Sequence, residues 1–151
     1  MTSNITDREV ITTRLFDATP EQMFAAWSDP KHLAKWWGPN GFTNTFHSFD
    51  FTPGGQWDFT MHSPDGIDYP NKNRFSQIIT NERIVFDHLE PVHSFQVRAI
   101  FAKEETKTRF TFQMLFDSEE ECQRVKQFIQ AANEENFDRL EQELLTMQRS
   151  S

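Results

Sequence analysis

Histidine is the side chain whose placement in this chain most directly suggests chemistry, because a neutral imidazole can bind a metal or carry a proton near pH 7. The five histidines are His32, His47, His62, His88 and His93. No two of them have the H-x-x-x-H or H-E-x-x-H spacing of a zinc site, and Cys122 lies far from them along the chain. We therefore expect no metal site.

His88 is the histidine with the best case for catalysis. It follows Ile84 and Phe86 at intervals of two, so in a strand it shares their inward face, whereas Asp87 points outward. An inward histidine can act as a general base. Such a residue is more often a hydrogen-bonded interior group, and that alternative stays open.

Gln77 is a second candidate polar group inside the fold. It is in phase with Phe75 and Ile79, which predicts that its side chain points inward as well. A neutral amide among aromatic rings can orient a carbonyl or hydroxyl group of a ligand. Its alternative role is as a hydrogen-bond partner for His88 or for a main-chain group.

The glycine pair Gly54-Gly55 does not indicate phosphate binding. It lies between two predicted strands rather than before a helix, and neither the G-x-x-x-x-G-K-[ST] nor the G-x-G-x-x-G pattern surrounds it. A tight turn is the better interpretation. The sequence predicts no cofactor.

Composition limits the classes of partner. With 15 Lys+Arg against 23 Asp+Glu, a net charge of -8 excludes a nucleic-acid-binding surface, since that needs basic residues, and no apolar segment predicts insertion into a membrane. The single cysteine cannot form an internal disulfide, which favours the cytoplasm. Sixteen Phe and four Trp carry most of the apolar mass, and such rigid rings can enclose a cavity as well as fill one.

The pattern of elements predicts a single α+β domain that spans residues 1–151. Cap and proline signals at Thr19-Pro20 and Asp29-Pro30 predict two short helices after the first strand, and a capping box at Ser118 opens a helix to about Met147. Alternating side chains predict an antiparallel meander. The predicted strands cover residues 9–18, 42–52, 57–62, 72–80, 83–89, 94–103 and 107–116.

Six short strings occur in order between about residues 9 and 145. They are Asp17-Ala18 with Pro20, Ala26-Trp27-Ser28-Asp29-Pro30, Trp36-Trp37-Gly38-Pro39, Gly54-Gly55-Gln56-Trp57, Met61 with Pro64-Asp65-Gly66, and Glu82-Arg83-Ile84-Val85-Phe86. Together with the order of elements they resemble the START-like (SRPBCC) superfamily, in the branch named for the activator of a heat-shock-protein ATPase. The resemblance implies a helix-grip fold, in which a curved seven-stranded antiparallel sheet wraps around a long C-terminal helix.

The resemblance also implies an internal pocket, which in the superfamily holds lipids, polyketides, hormones or aromatic compounds. The predicted lining includes Gln77 and His88, and core packing is the alternative role of every apolar member. The apolar members are Trp37, Trp57, Phe59, Met61, Phe75, Phe86, Phe112 and Met114 from the sheet side, with Phe128, Ala132 and Phe137 from the helix.

Three functions follow as expectations. The first is binding of a small apolar or amphipathic molecule, and the second is a cyclase or dehydratase in which the pocket folds a reactive chain and His88 moves a proton. The third is a co-chaperone that activates a heat-shock ATPase, although the eukaryotic activator has a separate N-terminal domain that is not expected before a first strand at Glu9. Either a monomer or a homodimer is compatible with all three.

Overall fold

Seven strands, two short helices and one long helix follow one another along the chain. The structure is a computed structural model that describes residues 8–90 and 95–150, so His93 and the predicted strand start at 94 lie outside the described residues. The elements are β1 (Glu9–Phe16), α1 (Pro20–Ser28), α2 (Pro30–Trp36), β2 (Thr43–Phe49), β3 (Gln56–His62), β4 (Asp68–Ile79), β5 (Arg83–Glu90), β6 (Phe95–Glu104), β7 (Lys107–Phe116) and α3 (Glu119–Ser150).

The strands form one curved antiparallel sheet in the order β1-β7-β6-β5-β4-β3-β2. Strands β2 to β7 make a meander of neighbours in sequence, and β1 joins it by pairing with β7. Two short helices follow β1, and α3 closes the chain. The predicted α+β class, strand number and element order are confirmed.

Strand β4 begins at Asp68, earlier than the predicted start at Lys72. Among the described residues its first part pairs with β3 alone, where Pro70 lies opposite Thr60, and the pairing with β5 begins at Lys72. Proline lacks an N–H donor, so it is tolerated in a strand where one side has no neighbour to receive that bond. Pro70 is exposed and lies in this part of β4.

The predicted cap signals form the expected contacts. Thr19 Oγ1 accepts a hydrogen bond from the Gln22 amide at 3.2 Å, and Gln22 Oε1 accepts one from the Thr19 amide at 3.0 Å. Asp29 Oδ1 likewise accepts a bond from the Lys31 amide at 2.9 Å, at the start of α2. These caps fix the directions of α1 and α2, and so the position of the loop that leaves α2.

Helix α3 packs its apolar side against β1, β7 and the two short helices. The Phe137 ring centroid lies 5.7 Å from that of Phe16 and 5.2 Å from that of Phe110. Acidic residues occupy much of the opposite side, and among residues 8–90 and 95–150 no helix has both the length and the apolar character needed to cross a bilayer. Phe128, in the first half of α3, is exposed.

Candidate ligand-binding cavity

A cavity of about 160 Å³ lies between the sheet and the middle of α3. Each of β3 to β7 contributes two residues at an interval of two, because alternate side chains of a strand share a face. The loop after α2 and one side of α3 complete the wall. The lining residues are Trp37, Gly38, Pro39, Phe59, Met61, Asn71, Asn73, Phe86, His88, Phe95, Val97, Phe112, Met114, Ala132, Asn133 and Asn136.

Trp37 connects the cavity wall to the aromatic core. Its ring centroid lies 5.1 Å from that of Trp57, 6.1 Å from that of Phe86 and 6.2 Å from that of Phe112. Edge-to-face and tilted contacts of this kind hold rings in fixed orientations. Trp37 therefore packs the cavity wall directly against the aromatic core.

Most of the predicted pocket residues lie around this cavity. Trp57, Phe75 and Phe137 do not line it: they are almost fully buried in the core beside it, with the rings of Trp57 and Phe75 stacked at 5.9 Å. For these three rings the alternative of core packing applies. The predicted residues that line the cavity are Trp37, Phe59, Met61, Phe86, His88, Phe112, Met114 and Ala132.

Gln77 differs from the expectation, because its side chain is exposed rather than inward. The register of β4 against β5 shifts between Phe75, which pairs with Phe86, and Gln77, which pairs with Val85. This β-bulge reverses the alternation, so that Ile78 and not Gln77 continues the inward face. The prediction that the side chain of Gln77 points into the fold is therefore wrong.

Phe128 also differs from the expectation, being 75% exposed. It lies two and a half turns before Phe137 at about 3.6 residues per turn, so the two rings project from opposite sides of α3. A helix face that included both Phe128 and Phe137 would be too wide to be buried as a whole. Phe128 cannot line an internal cavity.

His88 is held by a chain of buried polar groups. Its Nδ1 lies 3.0 Å from Oδ1 of Asn73, and Nδ2 of Asn73 donates to the main-chain oxygen of Trp57 at 3.1 Å. Since the carbonyl oxygen accepts from Nδ2, Oδ1 of Asn73 faces His88 and Nδ1 of His88 must carry the proton. With the proton on Nδ1, Nε2 is the unprotonated nitrogen of the neutral ring. The ring of Phe95 stacks on the imidazole at 4.6 Å.

Three buried asparagines at the cavity were missed by the sequence analysis. Asn73 is 2% exposed, Asn133 7% and Asn136 8%. The helical pair did leave a signal: Asn133 lies one turn after Ile129, and Asn136 one turn before Leu140, within the apolar stripe of α3. An uncharged polar residue inside such a stripe indicates a buried hydrogen bond or a ligand.

Arg139 of α3 holds the loop that covers one end of the cavity. Its guanidinium donates to the carbonyl oxygens of Lys35, Trp37, Gly38, Pro39 and Phe42 at 2.8 to 3.2 Å. Burial lowers the pKa of Arg139, yet a guanidinium remains protonated at any pH at which the protein is folded. The guanidinium thus satisfies the carbonyl oxygens of the loop and holds Gly38 beside the cavity.

Among the residues that the structure describes, the cavity wall is uncharged apart from His88. The described lining residues include no Lys, Arg, Asp or Glu. Over residues 8–90 and 95–150, no cluster of three or more His, Cys, Asp or Glu side chains could hold a metal ion. The arrangement suits an uncharged organic molecule.

A comparison with models of protein families shows which family the chain belongs to. The model of the Activator of Hsp90 ATPase homolog 1-like protein family matches residues 17–145. The chain belongs to this family. The match includes every strand from β2 to β7 and the cavity-lining part of α3, so the resemblance inferred from the short strings is confirmed.

Solved structures from bacteria share the fold. A solution structure from Arthrobacter aurescens is 25% identical, with a TM-score of 0.87 over 96% of this chain and 90% of that one. A crystal structure from Nitrosomonas europaea is 16% identical, with a TM-score of 0.86 over 97% and 99% of the two chains. The AHSA1 protein from Silicibacter pomeroyi is 21% identical, with a TM-score of 0.75 over 92% and 99%. None of the curated proteins compared with the chain gives a significant match.

Proposed function

We propose that this protein binds a small amphipathic molecule in the cavity between the sheet and α3. The observation that carries the proposal is the composition of the wall, in which aromatic and aliphatic side chains surround a few buried amides and one imidazole. A mostly apolar pocket with few, well-placed polar groups is the usual form of a small-molecule site. Membership of the family supports the same conclusion, since the fold is one in which a sheet and a helix enclose space.

The size of the cavity limits the ligand. Its volume of about 160 Å³ is close to the about 150 Å³ of an engineered cavity in another protein that binds benzene. A single aromatic or alicyclic ring with a short substituent therefore fits without rearrangement of the wall. A larger molecule requires movement of the loop at Trp37–Pro39.

Catalysis is the second candidate function, and the hydrogen bond between Asn73 and His88 favours it. With the proton fixed on Nδ1, Nε2 of the neutral ring is the basic nitrogen, which is the form that a general base needs. His88 lines the cavity, so a bound molecule would lie beside it. Replacement of His88 by Gln should abolish turnover of a substrate but leave a purely binding protein with nearly unchanged affinity.

Native mass spectrometry of freshly purified protein tests the binding function. We expect a population whose mass exceeds that of the chain by one discrete small-molecule mass, and the excess should disappear on denaturation. The Ala132→Leu variant is the matched control, because it fills the cavity and should lose the excess mass. An excess that persists in this variant would place the molecule elsewhere and contradict the proposal.

The family name raises the co-chaperone function, and an ATPase assay tests it separately. The protein is added to the Hsp90-type ATPase of the same organism, and steady-state phosphate release is measured. Stimulation that is unchanged in the Ala132→Leu variant would assign activity to the outer surface. Stimulation that is lost in that variant would tie it to the cavity.

A further inference from the structure

Nδ2 of Asn136 is a hydrogen-bond donor at the cavity wall, and no described residue provides an acceptor for it. Its Oδ1 receives a bond from the main-chain N–H of Gly38 at 3.1 Å, and because a main-chain N–H only donates, this bond fixes which end of the amide is oxygen. The side chain lines the cavity and is 8% exposed. Within residues 8–90 and 95–150, Nδ2 of Asn136 has no acceptor.

Asn133 offers the complementary group. Its Nδ2 donates to Oγ1 of Thr12 at 3.1 Å and lies 3.8 Å from Sδ of Met114. Its Oδ1 therefore is the end without a donor among the described residues, and the side chain is 7% exposed. Since residues three apart on a helix share a face, Oδ1 of Asn133 and Nδ2 of Asn136 belong to the same stretch of the cavity wall.

A polar group that faces a cavity without a partner in the protein is satisfied by water or by a ligand, so these two amide ends are the points at which a ligand can replace water. Asn73 shows the contrast, because both ends of its amide are used within the protein, by His88 and by the main chain of Trp57. A ligand that accepts from Asn136 and donates to Asn133 would satisfy both groups at once. A hydrocarbon would leave both unpaired.

The uncharged lining narrows the choice further. No Lys or Arg of the described residues lines the cavity, so a bound carboxylate or phosphate would lose its hydration without gaining a counter-ion there. No described Asp or Glu side chain lines it either, which disfavours an organic cation. The ligand chemistry that matches the wall is neutral.

We propose that the ligand of this cavity is an uncharged ring compound with a carbonyl oxygen for Nδ2 of Asn136 and an N–H or O–H donor for Oδ1 of Asn133, as in an aromatic primary amide. This inference rests on the binding function proposed above. It assigns Asn133 and Asn136 as the residues that determine specificity. Benzamide is a probe of the proposed chemistry that fits the volume of the cavity.

Three probes of similar size separate the contributions of the ligand's hydrogen-bond acceptor and donor to affinity. Benzamide has the acceptor and the donor, acetophenone has only the acceptor, and ethylbenzene has neither. Their dissociation constants are measured by ¹H–¹⁵N NMR titration of the full chain and of the variants Asn136→Leu and Asn133→Leu. Gln127→Leu, which also replaces an amide by leucine but at an exposed position of α3, is the matched control.

We expect each variant to lose affinity for particular probes. Relative to ethylbenzene, Asn136→Leu should raise the dissociation constants of benzamide and acetophenone about fivefold, whereas Asn133→Leu should raise that of benzamide alone by a similar factor. Gln127→Leu should change none of the ratios. In the unaltered protein benzamide should also shift the side-chain amide signals of Asn136, a measurement that stands even if a variant does not fold.

Each failure has a distinct meaning. If neither benzamide nor ethylbenzene shifts the signals of cavity residues up to the solubility limit, the binding function itself is overturned. If both bind and the ratios stay constant in both asparagine variants, the pairing with the amides is overturned while binding stands. Benzoate binding more tightly than benzamide would overturn the uncharged class.

Discussion

Nδ1 of His88 lies 3.0 Å from Oδ1 of Asn73, on the inner face of the sheet. The two residues are direct partners in the register of β4 and β5, so the backbone pairing itself brings the imidazole to the amide. A register shift lies between Lys72 and Asn73, next to this contact. The bulge thus contributes to the placement of His88, the one titratable side chain among the described residues that line the cavity.

The contact predicts the tautomer of His88. Because Asn73 presents its oxygen, the neutral ring should carry its proton on Nδ1, in contrast to the Nε2–H form that predominates for free histidine. A long-range ¹H–¹⁵N correlation spectrum distinguishes the two forms. In Asn73→Leu the Nδ1 preference should disappear, and an Nε2–H form in the unaltered protein would contradict the assignment.

Filling the cavity should abolish binding without unfolding the protein. Ala132 lines the cavity, whereas the adjacent Ala131 is exposed, so Ala132→Leu and Ala131→Leu form a matched pair. Leu and Ala have similar helix propensities, which keeps the helix itself comparable. We expect Ala132→Leu to weaken ethylbenzene at least tenfold in the NMR titration and Ala131→Leu to have no effect. Equal binding by both variants would place the ring outside the cavity.

Gly38 should tolerate a side chain less well than another glycine of similar backbone conformation. It has a φ of +99°, and an added Cβ would lie 2.7 Å from Cε of Met61. Gly66 has a φ of +88° with nothing within 4 Å, so Gly66→Ala measures the backbone cost alone. We expect urea unfolding to show a loss of about 1 kcal/mol for Gly66→Ala and about 2 kcal/mol for Gly38→Ala. Equal losses would show that Met61 moves aside freely.

Arg139 should stabilise the fold through geometry rather than through charge. Lysine keeps the charge but cannot direct a planar group of donors at several carbonyl oxygens. We expect Arg139→Lys to lower the free energy of unfolding by about 2 to 3 kcal/mol, measured by urea unfolding. The control is Arg124→Lys, an exposed arginine of the same helix, which should change it by less than about 0.5 kcal/mol. A similar effect of both substitutions would contradict the role of the loop contacts.

The sequence predicted the architecture well because its signals were local. The capping pairs at Thr19 and Asp29 and the alternation of side chains along β7 each depend on a few neighbouring residues, and each was confirmed. Several of the predicted strand residues, such as Phe59, Phe86 and Phe112, lie at the cavity, whereas Phe95 and Val97 were not predicted there. Local pattern was sufficient wherever strands were regular.

The sequence predicted the polar part of the wall poorly, for physical reasons. A β-bulge after Phe75 is not visible in the pattern of side chains, and it moved Gln77 to the surface. The roles of Asn73, Asn133 and Asn136 depend on partners far away in the chain, such as the amide of Gly38 and the hydroxyl of Thr12. A pattern within one element contains no information about such contacts.

The position of β1 has a consequence for the order in which the protein can form. Glu9 pairs with Leu115 and Phe16 with Thr108. Strand β1 precedes the other six strands in the chain, so it can enter the sheet only after β7 has been synthesised. On the ribosome β1 is therefore an unpaired strand throughout most of translation, while the meander from β2 to β6 can already pair in sequence. Such non-local pairing has a high entropic cost and slows folding. The sheet is consequently completed late. Helix α3, which packs against β1 and β7, can take its place beside the cavity only after that step.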